Sequence, residues 1–512
     1  MTELIRKAVE APRERAWVSV GASGIPALLS VGSPPDGGAG AGFLPPVYPE
    51  WLGDRRFAAA HGARFNYVAG EMARGIATPQ MVVETARTGC VGFYGSAGLP
   101  LDEIRSGVAN IQSALGPQAA NWGANLIHSP QEPGQEAAVI DLFLTENVRR
   151  VSASAFMKLT PDVVRFTALG LSRGADGTVQ RANHVFAKVS RAEVAEAFMA
   201  PAPKKILAEL VASGAITQLQ ADLATTVPVA AEITAEADSG GHTDNRPALT
   251  LFSSLASARA RIAASHGLAE SDIRIGLAGG IATPQAVAAA FQMGAAYVLT
   301  ASINQSTVES GLALPGRQML AKAGPADVAM APAADMFEQG VQVQVLKRGT
   351  LFAMRGRKLH NFYRSGATYE SLAESDRKWL EDVLGEPFEA AWKATRDYIR
   401  RINPAEAARA EADGNKRLAL VARRYLFQGA QWAREGEAAR AADYQIWCGP
   451  AMGAFNEWVA GSFLEPVESR TVRQIALNLM EGAARVTRAG QLRASGLDVP
   501  PDLFTYRPVP FE

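Results

Sequence analysis

Cysteine is scarce in this chain: Cys90 and Cys448 are the only two among 512 residues. They lie too far apart, and outside any metal-ligand spacing, for a disulfide framework or a zinc site. We therefore expect no metal centre and a reducing compartment.

The chain also has no excess of charge, because 51 Lys and Arg residues balance 51 Asp and Glu residues. This balance gives no electrostatic case for nucleic acid as a partner, although a local charged patch remains open. The longest apolar stretch, 286–303, is interrupted by Gln292 and Gly294 and does not reach the ~20 residues of a membrane span. The first residues lack the apolar segment of a signal peptide. We expect a cytoplasmic protein without a membrane span.

Between residues 46 and 345, short apolar runs alternate with Ala-rich helical patterns. This alternation predicts parallel strands joined by crossover helices, and the nearly continuous apolar runs suit a sheet that is covered by helices. The predicted fold class is α/β, a TIM (β/α)8 barrel. The predicted strands are 90–94, 124–127, 148–153, 163–168, 184–188, 227–231, 273–278 and 297–300.

The barrel region is flanked by two segments of different composition. Residues 1–45 are predicted to be a Gly/Pro-rich leader, and the run GSPPDGGAGAGF at 32–43 is not expected to form regular structure. Residues 346–512 carry charged patterns with Trp and Tyr that predict a C-terminal helical extension. Its predicted helices are 370–383, 388–402, 404–425, 439–447 and 472–488.

One hexapeptide, GIATPQ, occurs twice, at 75–80 and at 280–285. Each copy reads as a glycine turn, a Thr N-cap and a Pro in the first helical turn. Two similar βα units suit a barrel built from repeated units. Chance convergence on a good helix start is the alternative, and it predicts the same local structure.

Paired glycines, Gly279 and Gly280, end the predicted strand 273–278 and open onto the second of these helices. A helix N-terminus offers N–H groups to a phosphate, and glycines permit close approach. The next predicted strand ends at Thr300, Ala301 and Ser302, and barrels often hold phosphate at the loops after their last two strands. A Rossmann site fits worse because GxGxxG is absent. The alternative is that the glycines only shape a turn.

A second motif, EADSGGHTD at 236–244, follows the predicted strand 227–231. Gly240 and Gly241 would let the chain pass flat against a ring, and His242 is suited to donate a proton near neutral pH. A lone histidine is more often structural, but the glycine pair and the acidic neighbours favour function. A third motif, YVAGEMA at 67–73, would place Met72 against a ring, although Met more commonly fills core gaps.

Together the motifs EADSGGHTD, GLAGGIATPQ (276–285), GAAYVLTASINQ (294–305) and YQIWCGPAMGAFNEWV (444–459) resemble those of a known superfamily. It comprises the nitronate monooxygenases and FMN-dependent enoyl reductases. The C-terminal motif resembles in particular the PfaD-type, trans-acting enoyl reductases of polyunsaturated fatty acid and polyketide synthases. The similarity runs from about residue 40 to about residue 490.

The resemblance implies FMN across the barrel mouth and His242 as the active-site histidine. It places Gly70 and Met72 behind the isoalloxazine, Asn125 at its polar edge, and Gly240 and Gly241 along the ring. The implied phosphate residues are Gly279, Gly280, Thr300, Ala301 and Ser302. Position 301 departs from the family, where glycine is expected, and the extra Cβ would loosen FMN or require a small backbone shift.

The implied activity is reduction of 2-enoyl thioesters on an acyl carrier protein, with NADPH as the hydride source. His242 would supply the proton or stabilise the thioester enolate. The segment 346–364 contains basic residues and no Asp or Glu, so it would dock an acidic carrier. These basic residues are Lys347, Arg348, Arg355, Arg357, Lys358 and Arg364. The alternative is a solvated helix face, or arginines paired with acids elsewhere in the fold.

Two other functions remain open at this stage. One is a nitronate monooxygenase-like flavin oxidase with O2 as acceptor, and the other is a non-catalytic synthase subunit. The PfaD-type motif at 444–459 argues against the first, and the intact SGGH and AGGI motifs argue against the second.

Overall fold

A computed structural model describes residues 2–20, 26–35, 42–128 and 134–512. Its strands are β1 Ala16–Val20, β2 Pro26–Val31, β3 Gly42–Leu44, β4 Tyr67–Ala69, β5 Val91–Tyr94, β6 Trp122–Ile127, β7 Arg150–Ser154, β8 Leu171–Arg173, β9 Val179–Arg181, β10 His184–Val189, β11 Glu232–Glu236, β12 Gly241–His242, β13 Arg274–Ala278, β14 Val298–Thr300, β15 Val328–Pro332 and β16 Gln342–Leu346.

The α-helices are α1 Thr2–Glu10, α2 Arg55–His61, α3 Pro79–Arg87, α4 Leu101–Leu115, α5 Gln135–Thr145, α6 Pro161–Leu169, α7 Ala192–Met199, α8 Lys204–Ala212, α9 Gln218–Ala224, α10 Ala248–His266, α11 Pro284–Gln292, α12 Leu314–Ala321, α13 Phe352–Arg364, α14 Glu374–Leu384, α15 Phe388–Ile402, α16 Pro404–Ala412, α17 Gly414–Glu435, α18 Ala451–Val459 and α19 Val472–Ala494. No helix in the described ranges is both long enough and apolar enough to cross a bilayer.

The chain divides into two compact units. The first contains residues up to 238, 244–311 and 454–512, and the second contains 239–243 and 312–453. These breaks differ from the predicted boundaries at 45/46 and 345/346, because α19 packs on α3 and α11 of the first unit. The predicted domain boundaries therefore stay a prediction.

The first unit contains a closed barrel of eight parallel strands in the order β4, β5, β6, β7, β10, β11, β13 and β14. The last strand pairs with the first, with Val298 opposite Tyr67. Helices follow the strands in sequence, which confirms the predicted TIM (β/α)8 barrel. Aromatic rings fill part of its interior, and Phe57 stacks on Tyr297 with ring centroids 4.4 Å apart.

Two of the eight predicted strands are wrong. Residues 163–168 lie in α6, because Thr160 caps a helix that has Pro161 in its first turn. Residues 227–231 precede β11, which begins at the buried Glu232. The barrel's first strand, β4, was not among the predicted strands, since its three residues are too few for an apolar pattern.

The described N-terminal residues contain regular structure, and their assignment as a Gly/Pro-rich leader stays a prediction. Strands β1, β2 and β3 form an antiparallel sheet, and the apolar face of α1 packs with Ala489 and Leu492 of α19. Within the run 32–43, residues 36–41 lie outside the described part, and Gly42 and Phe43 belong to β3.

The repeated hexapeptide has the predicted local structure in both copies. The Thr78 hydroxyl accepts a hydrogen bond from the Met81 amide at 3.0 Å, and Thr283 accepts one from the Ala286 amide at 3.3 Å. Each threonine is followed by the proline that opens α3 or α11.

The second unit holds a three-stranded sheet in the order β12, β16, β15, together with helices α12 to α17. The predicted helix 388–402 matches α15. The predicted helix 404–425 is divided where Asp413 ends α16 and caps α17. The fourth predicted helix, 439–447, is not an α-helix. Ala438–Asp443 form a 3-10 helix, and extended chain follows it.

Candidate active site

The paired glycines after β13 form an open cradle. Gly279 and Gly280 have φ of +82° and +74°, values that favour glycine. A Cβ on Gly279 would lie 2.6 Å from the Ala237 carbonyl carbon, whereas one on Gly280 would meet nothing within 4 Å. The cradle leads to the N-terminus of α11, capped by Thr283. Open space beside a glycine turn and the positive end of a helix fits a phosphate.

The end of β14 and the neighbouring loop after it contain Thr300 and Ser302, which were predicted to contact a phosphate. The Thr300 hydroxyl is buried and bonds with the Tyr67 hydroxyl and the Asn304 amide, so its side chain is engaged in the barrel wall. Ser302 is buried at the start of the 3-10 helix that follows. Phosphate contacts by Thr300 and Ser302 stay predictions.

Ala301 fits its position without backbone strain. Its φ is −131°, which any L-residue can adopt, and its methyl packs beside an apolar cluster that includes Met72 and Val472. The effect of the Ala301 Cβ on FMN, weaker binding or a small backbone shift, stays a prediction.

Gly70 and Met72 lie in the segment that follows β4. The Gly70 amide donates to the Thr300 carbonyl at 2.9 Å, and a Cβ on Gly70 would lie 2.5 Å from Leu299 Cδ2. Met72 is 6% exposed in the apolar cluster, so it fills core space as well as lying near the mouth. Contacts of these residues with a ring stay predictions.

A polar network crosses the carboxyl ends of the barrel strands. The Asn125 amide donates to the Ser154 hydroxyl at 3.1 Å, and Ser154 donates to Glu71 Oε1 at 2.9 Å. Lys188 Nζ lies 2.9 Å from Glu71 Oε1 and 3.3 Å from Glu236 Oε1. We call Asn125, Ser154, Glu71, Lys188 and Glu236 the mouth network.

Charge within the mouth network shifts the pKa of its members. Burial alone would lower the pKa of Lys188, but the Glu236 and Glu71 carboxylates raise it above the ordinary value. Burial alone would raise the pKa of Glu71, but the Lys188 ammonium lowers it. The lysine and Glu71 are therefore both charged at neutral pH. Sequence reasoning missed Ser154, Glu71 and Lys188, although a polar residue ending an apolar strand was the available signal.

His242 lies on β12 in the second unit. It pairs with Val343 of β16, and its Nε2 lies 3.2 Å from Asp335 Oδ1. Desolvation alone would raise the pKa of Asp335, but the hydrogen bond and charge of His242 lower it below the ordinary value. The His242 side chain is 30% exposed. A half-exposed imidazole held by a carboxylate is suited to proton transfer. Sequence reasoning missed Asp335, which lies 93 residues away along the chain.

The local backbone structure by itself favours glycine at positions 240 and 241. A Cβ on Gly240 would lie 2.7 Å from the Cys448 amide nitrogen, so glycine is required for close approach of the main chain. Gly241 has φ +83° and faces the Trp447 ring. The segment 444–453 therefore packs directly on the SGGH motif. Their predicted place along a flavin ring stays a prediction.

Asp244, which follows that motif, is held in the first unit. Arg191 donates to both of its carboxylate oxygens, at 2.9 and 3.0 Å, and the Ser190 hydroxyl donates at 2.7 Å. The hydrogen bond from Arg191 lowers the pKa of Asp244 to about 2, although partial burial opposes it. This bidentate pair anchors the main chain at Asp244 within the first unit.

The basic segment 346–364 is partly neutralised. Arg355 pairs with Asp443, Lys358 with Asp376 and Arg348 with Asp327. The Lys347 ammonium donates to a main-chain carbonyl, and Arg357 is exposed. The alternative that the arginines pair with acids elsewhere in the fold thus holds for part of the segment.

At the opposite, amino end of the barrel, His61, His184 and Glu232 are buried together. The His61 ring lies between Glu232 Oε1, 3.0 Å from Nε2, and the Arg150 guanidinium, whose Nε donates to Nδ1 at 2.9 Å. Arg274 also pairs with Glu232. We call these five residues the basal network. Although its two histidines and glutamate have metal-ligand chemistry, we assign it no metal because two guanidinium groups already supply positive charge.

Comparison with known proteins gives matches along most of the chain. Residues 367–444 match the family model of the inserted helical domain of acyl-carrier-protein S-malonyltransferase. The chain is 43% identical over 467 residues to one component of the polyunsaturated fatty acid synthase of Thraustochytrium sp., covering 89% of this chain and 31% of that protein. It is 40% identical over 439 residues to polyketide biosynthesis protein PksE of Bacillus subtilis, covering 86% and 57%. The chain thus spans between about a third and somewhat over half of these two relatives.

Among solved structures, the enoyl reductase domain of MlnA, from the macrolactin biosynthesis cluster of Bacillus amyloliquefaciens, superimposes with a TM-score of 0.82. The two sequences are 34% identical, and the match covers 87% of this chain and 99% of that domain. The chain belongs to the enoyl reductase family of polyunsaturated fatty acid and polyketide synthases.

Proposed function

We propose that this chain is an FMN-dependent, NADPH-using enoyl reductase that acts in trans on 2-enoyl thioesters carried by an acyl carrier protein. The observation that carries the proposal is the open cradle at Gly280 beside the N-terminus of α11. It supplies main-chain donors for a phosphate at the carboxyl end of a barrel whose relative is an enoyl reductase domain. When bound, FMN supplies hydride transfer.

The protein itself positions the reacting groups and supplies a proton. In the overall reaction NADPH loses a hydride to become NADP+, the hydride adds to the β-carbon, and a proton adds to the α-carbon of the thioester. His242 donates that proton, and Asp335 holds the imidazole while it does so. The part-exposed ring then regains a proton from solvent.

The test is anaerobic spectroscopy of the purified chain. We expect yellow protein that bleaches with NADPH and regains its colour when crotonyl thioester on a carrier protein is added. Colourless protein that takes up no added FMN would contradict the proposal and favour a non-catalytic synthase subunit. Oxygen consumption with a nitronate, without reoxidation by the enoyl thioester, would instead identify a flavin oxidase.

Filling the cradle is expected to weaken FMN binding. Gly280→Ala places a methyl in the space assigned to phosphate, and we expect FMN affinity to fall about tenfold in a fluorescence-quenching titration. The positive φ adds a strain of about 1–2 kcal/mol that is unrelated to binding. Gly214→Ala is the matched control, because Gly214 has φ +73° and equally open space but lies between α8 and α9. Equal FMN affinity in the two variants would show that the cradle does not bind the FMN phosphate.

Reversing the exposed basic charges is expected to weaken carrier docking. In Lys347→Glu/Arg357→Glu, repulsion of an acidic carrier should raise KM for the carrier-bound substrate about three- to tenfold at low salt. KM for the same acyl group on pantetheine should not change, since that substrate lacks the carrier. An equal rise for both substrates, or none for either, would exclude docking through these residues.

A further inference from the structure

The mouth network contains a lysine with two acidic partners. Lys188 is 17% exposed, and its ammonium lies against Glu71 and Glu236. An ammonium has three N–H donors, and the two carboxylates take two of them. One donor therefore remains for a group that binds at the barrel mouth.

Glu71 brings an acceptor to the same place. Its Oε1 accepts a hydrogen bond from the Ser154 hydroxyl and forms an ion pair with Lys188. Its Oε2 is buried and has no hydrogen-bond partner among the described residues. The residue is 5% exposed. A buried carboxylate oxygen without a donor is unfavourable, so a bound group with an N–H or O–H would stabilise it.

These residues lie at the end of the barrel that carries the phosphate cradle. Lys188 is the penultimate residue of β10, Glu236 ends β11, and Glu71 follows β4. The cradle follows β13. Carboxyl ends of parallel strands share one face of a barrel, so one ligand can reach both groups.

We propose, on the basis of the proposed function, that Lys188 and Glu71 bind the polar edge of the flavin ring and that Lys188 sets its reduction potential. This edge carries an N–H donor beside carbonyl and ring-nitrogen acceptors, which matches the carboxylate and ammonium pair. Two-electron reduction adds negative charge to the edge. The Lys188 ammonium favours that charge and so raises the potential. Lys188 is a positioning and tuning group, and the proton is assigned to His242.

The test compares FMN bound to the wild-type chain and to Lys188→Met, using anaerobic equilibration with a redox dye. We expect the preference for reduced over oxidised FMN to fall about tenfold, which is about 30 mV for a two-electron couple. Lys188→Arg should keep most of the wild-type potential because it retains the charge. Lys205→Met, on the exposed start of α8, is the matched control and should leave the potential unchanged.

Two further variants separate the proposal from misfolding. Lys188→Met/Glu236→Gln removes one carboxylate along with the ammonium and so limits unpaired charge. Glu71→Gln should shift the potential in the opposite direction to Lys188→Met, since it removes negative charge. A wild-type chain that binds no FMN would contradict the proposed function itself. Wild-type FMN binding with the same potential in folded Lys188→Met would overturn only the assignment of Lys188.

Discussion

Replacing His242 by alanine is expected to slow reduction of the enoyl thioester by about 10²- to 10⁴-fold, the usual contribution of a positioned general acid. FMN content and bleaching by NADPH should stay at wild-type levels, because the proposed function assigns the imidazole to protonation of the substrate's α-carbon and not to FMN. The measurement is anaerobic single-turnover reoxidation by crotonyl thioester on a carrier protein, with the NADPH half-reaction followed separately.

The structure gives the reason to expect so specific an effect. His242 pairs with β16 through its main chain, so the backbone is held independently of the ring. Gly240 packs against the main chain at Cys448, and Asp244 is held by Arg191. The residues beside the histidine on either side therefore have anchors of their own, each within its own unit. Removing the imidazole should leave the segment in place and delete only its proton.

Two controls bound this prediction. His266→Ala removes an exposed imidazole at the end of α10 and should leave both half-reactions unchanged. Asp335→Asn keeps a hydrogen-bond partner of similar size but removes its charge, so we expect a smaller loss than for His242→Ala. If His242→Ala retains the wild-type rate of reoxidation, the proton comes from another group and His242 is structural.

The barrel was predictable because parallel strands buried on both faces leave apolar runs in the sequence, and six of the eight predicted runs overlap strands of the structure. The misplaced strand near 227–231 shows the limit of this signal. The true strand begins at Glu232 and ends at Glu236. The barrel accommodates both carboxylates because each has a cationic partner, Arg274 at one end and Lys188 at the other. A pattern that scores charge as exposed cannot find such a strand.

Long-range pairing accounts for what the sequence did not reveal at the site. The motif around His242 was visible, but its partner Asp335 is brought near by the antiparallel pairing of β12 and β16. The role of Gly240 likewise depends on a segment 208 positions later, at Cys448, whose main chain occupies the space of a Cβ. Glu71 was present in a quoted motif, yet its importance depends on Lys188 and Ser154 from other strands.

Acidification from pH 7 to pH 5 is expected to lower the free energy of unfolding by about 2 kcal/mol through His61 alone. Burial lowers the pKa of His61 to about 4, against the opposing attraction of Glu232. In the unfolded chain the ordinary value is 6.5. Between these values the unfolded state binds more protons than the folded state, so stability is present above about pH 6.5 and is lost as the pH falls toward 4. His184, whose pKa burial also lowers, acts in the same direction.

The hydrogen bonds of the basal network explain why the ring stays neutral. Arg150 donates to His61 Nδ1, so this nitrogen must be the acceptor and Nε2 must carry the proton that is donated to Glu232. A second proton would place an N–H against a guanidinium N–H and break the bond.

Urea unfolding at pH 7 and pH 5 measures the effect. His61→Gln should be less stable at pH 7 and lose about 2 kcal/mol less on acidification, whereas His266→Gln should lose as much as the wild type. Equal pH dependence in wild type and His61→Gln would show that His61 takes up its proton without cost, and that the charges around it do not hold it neutral.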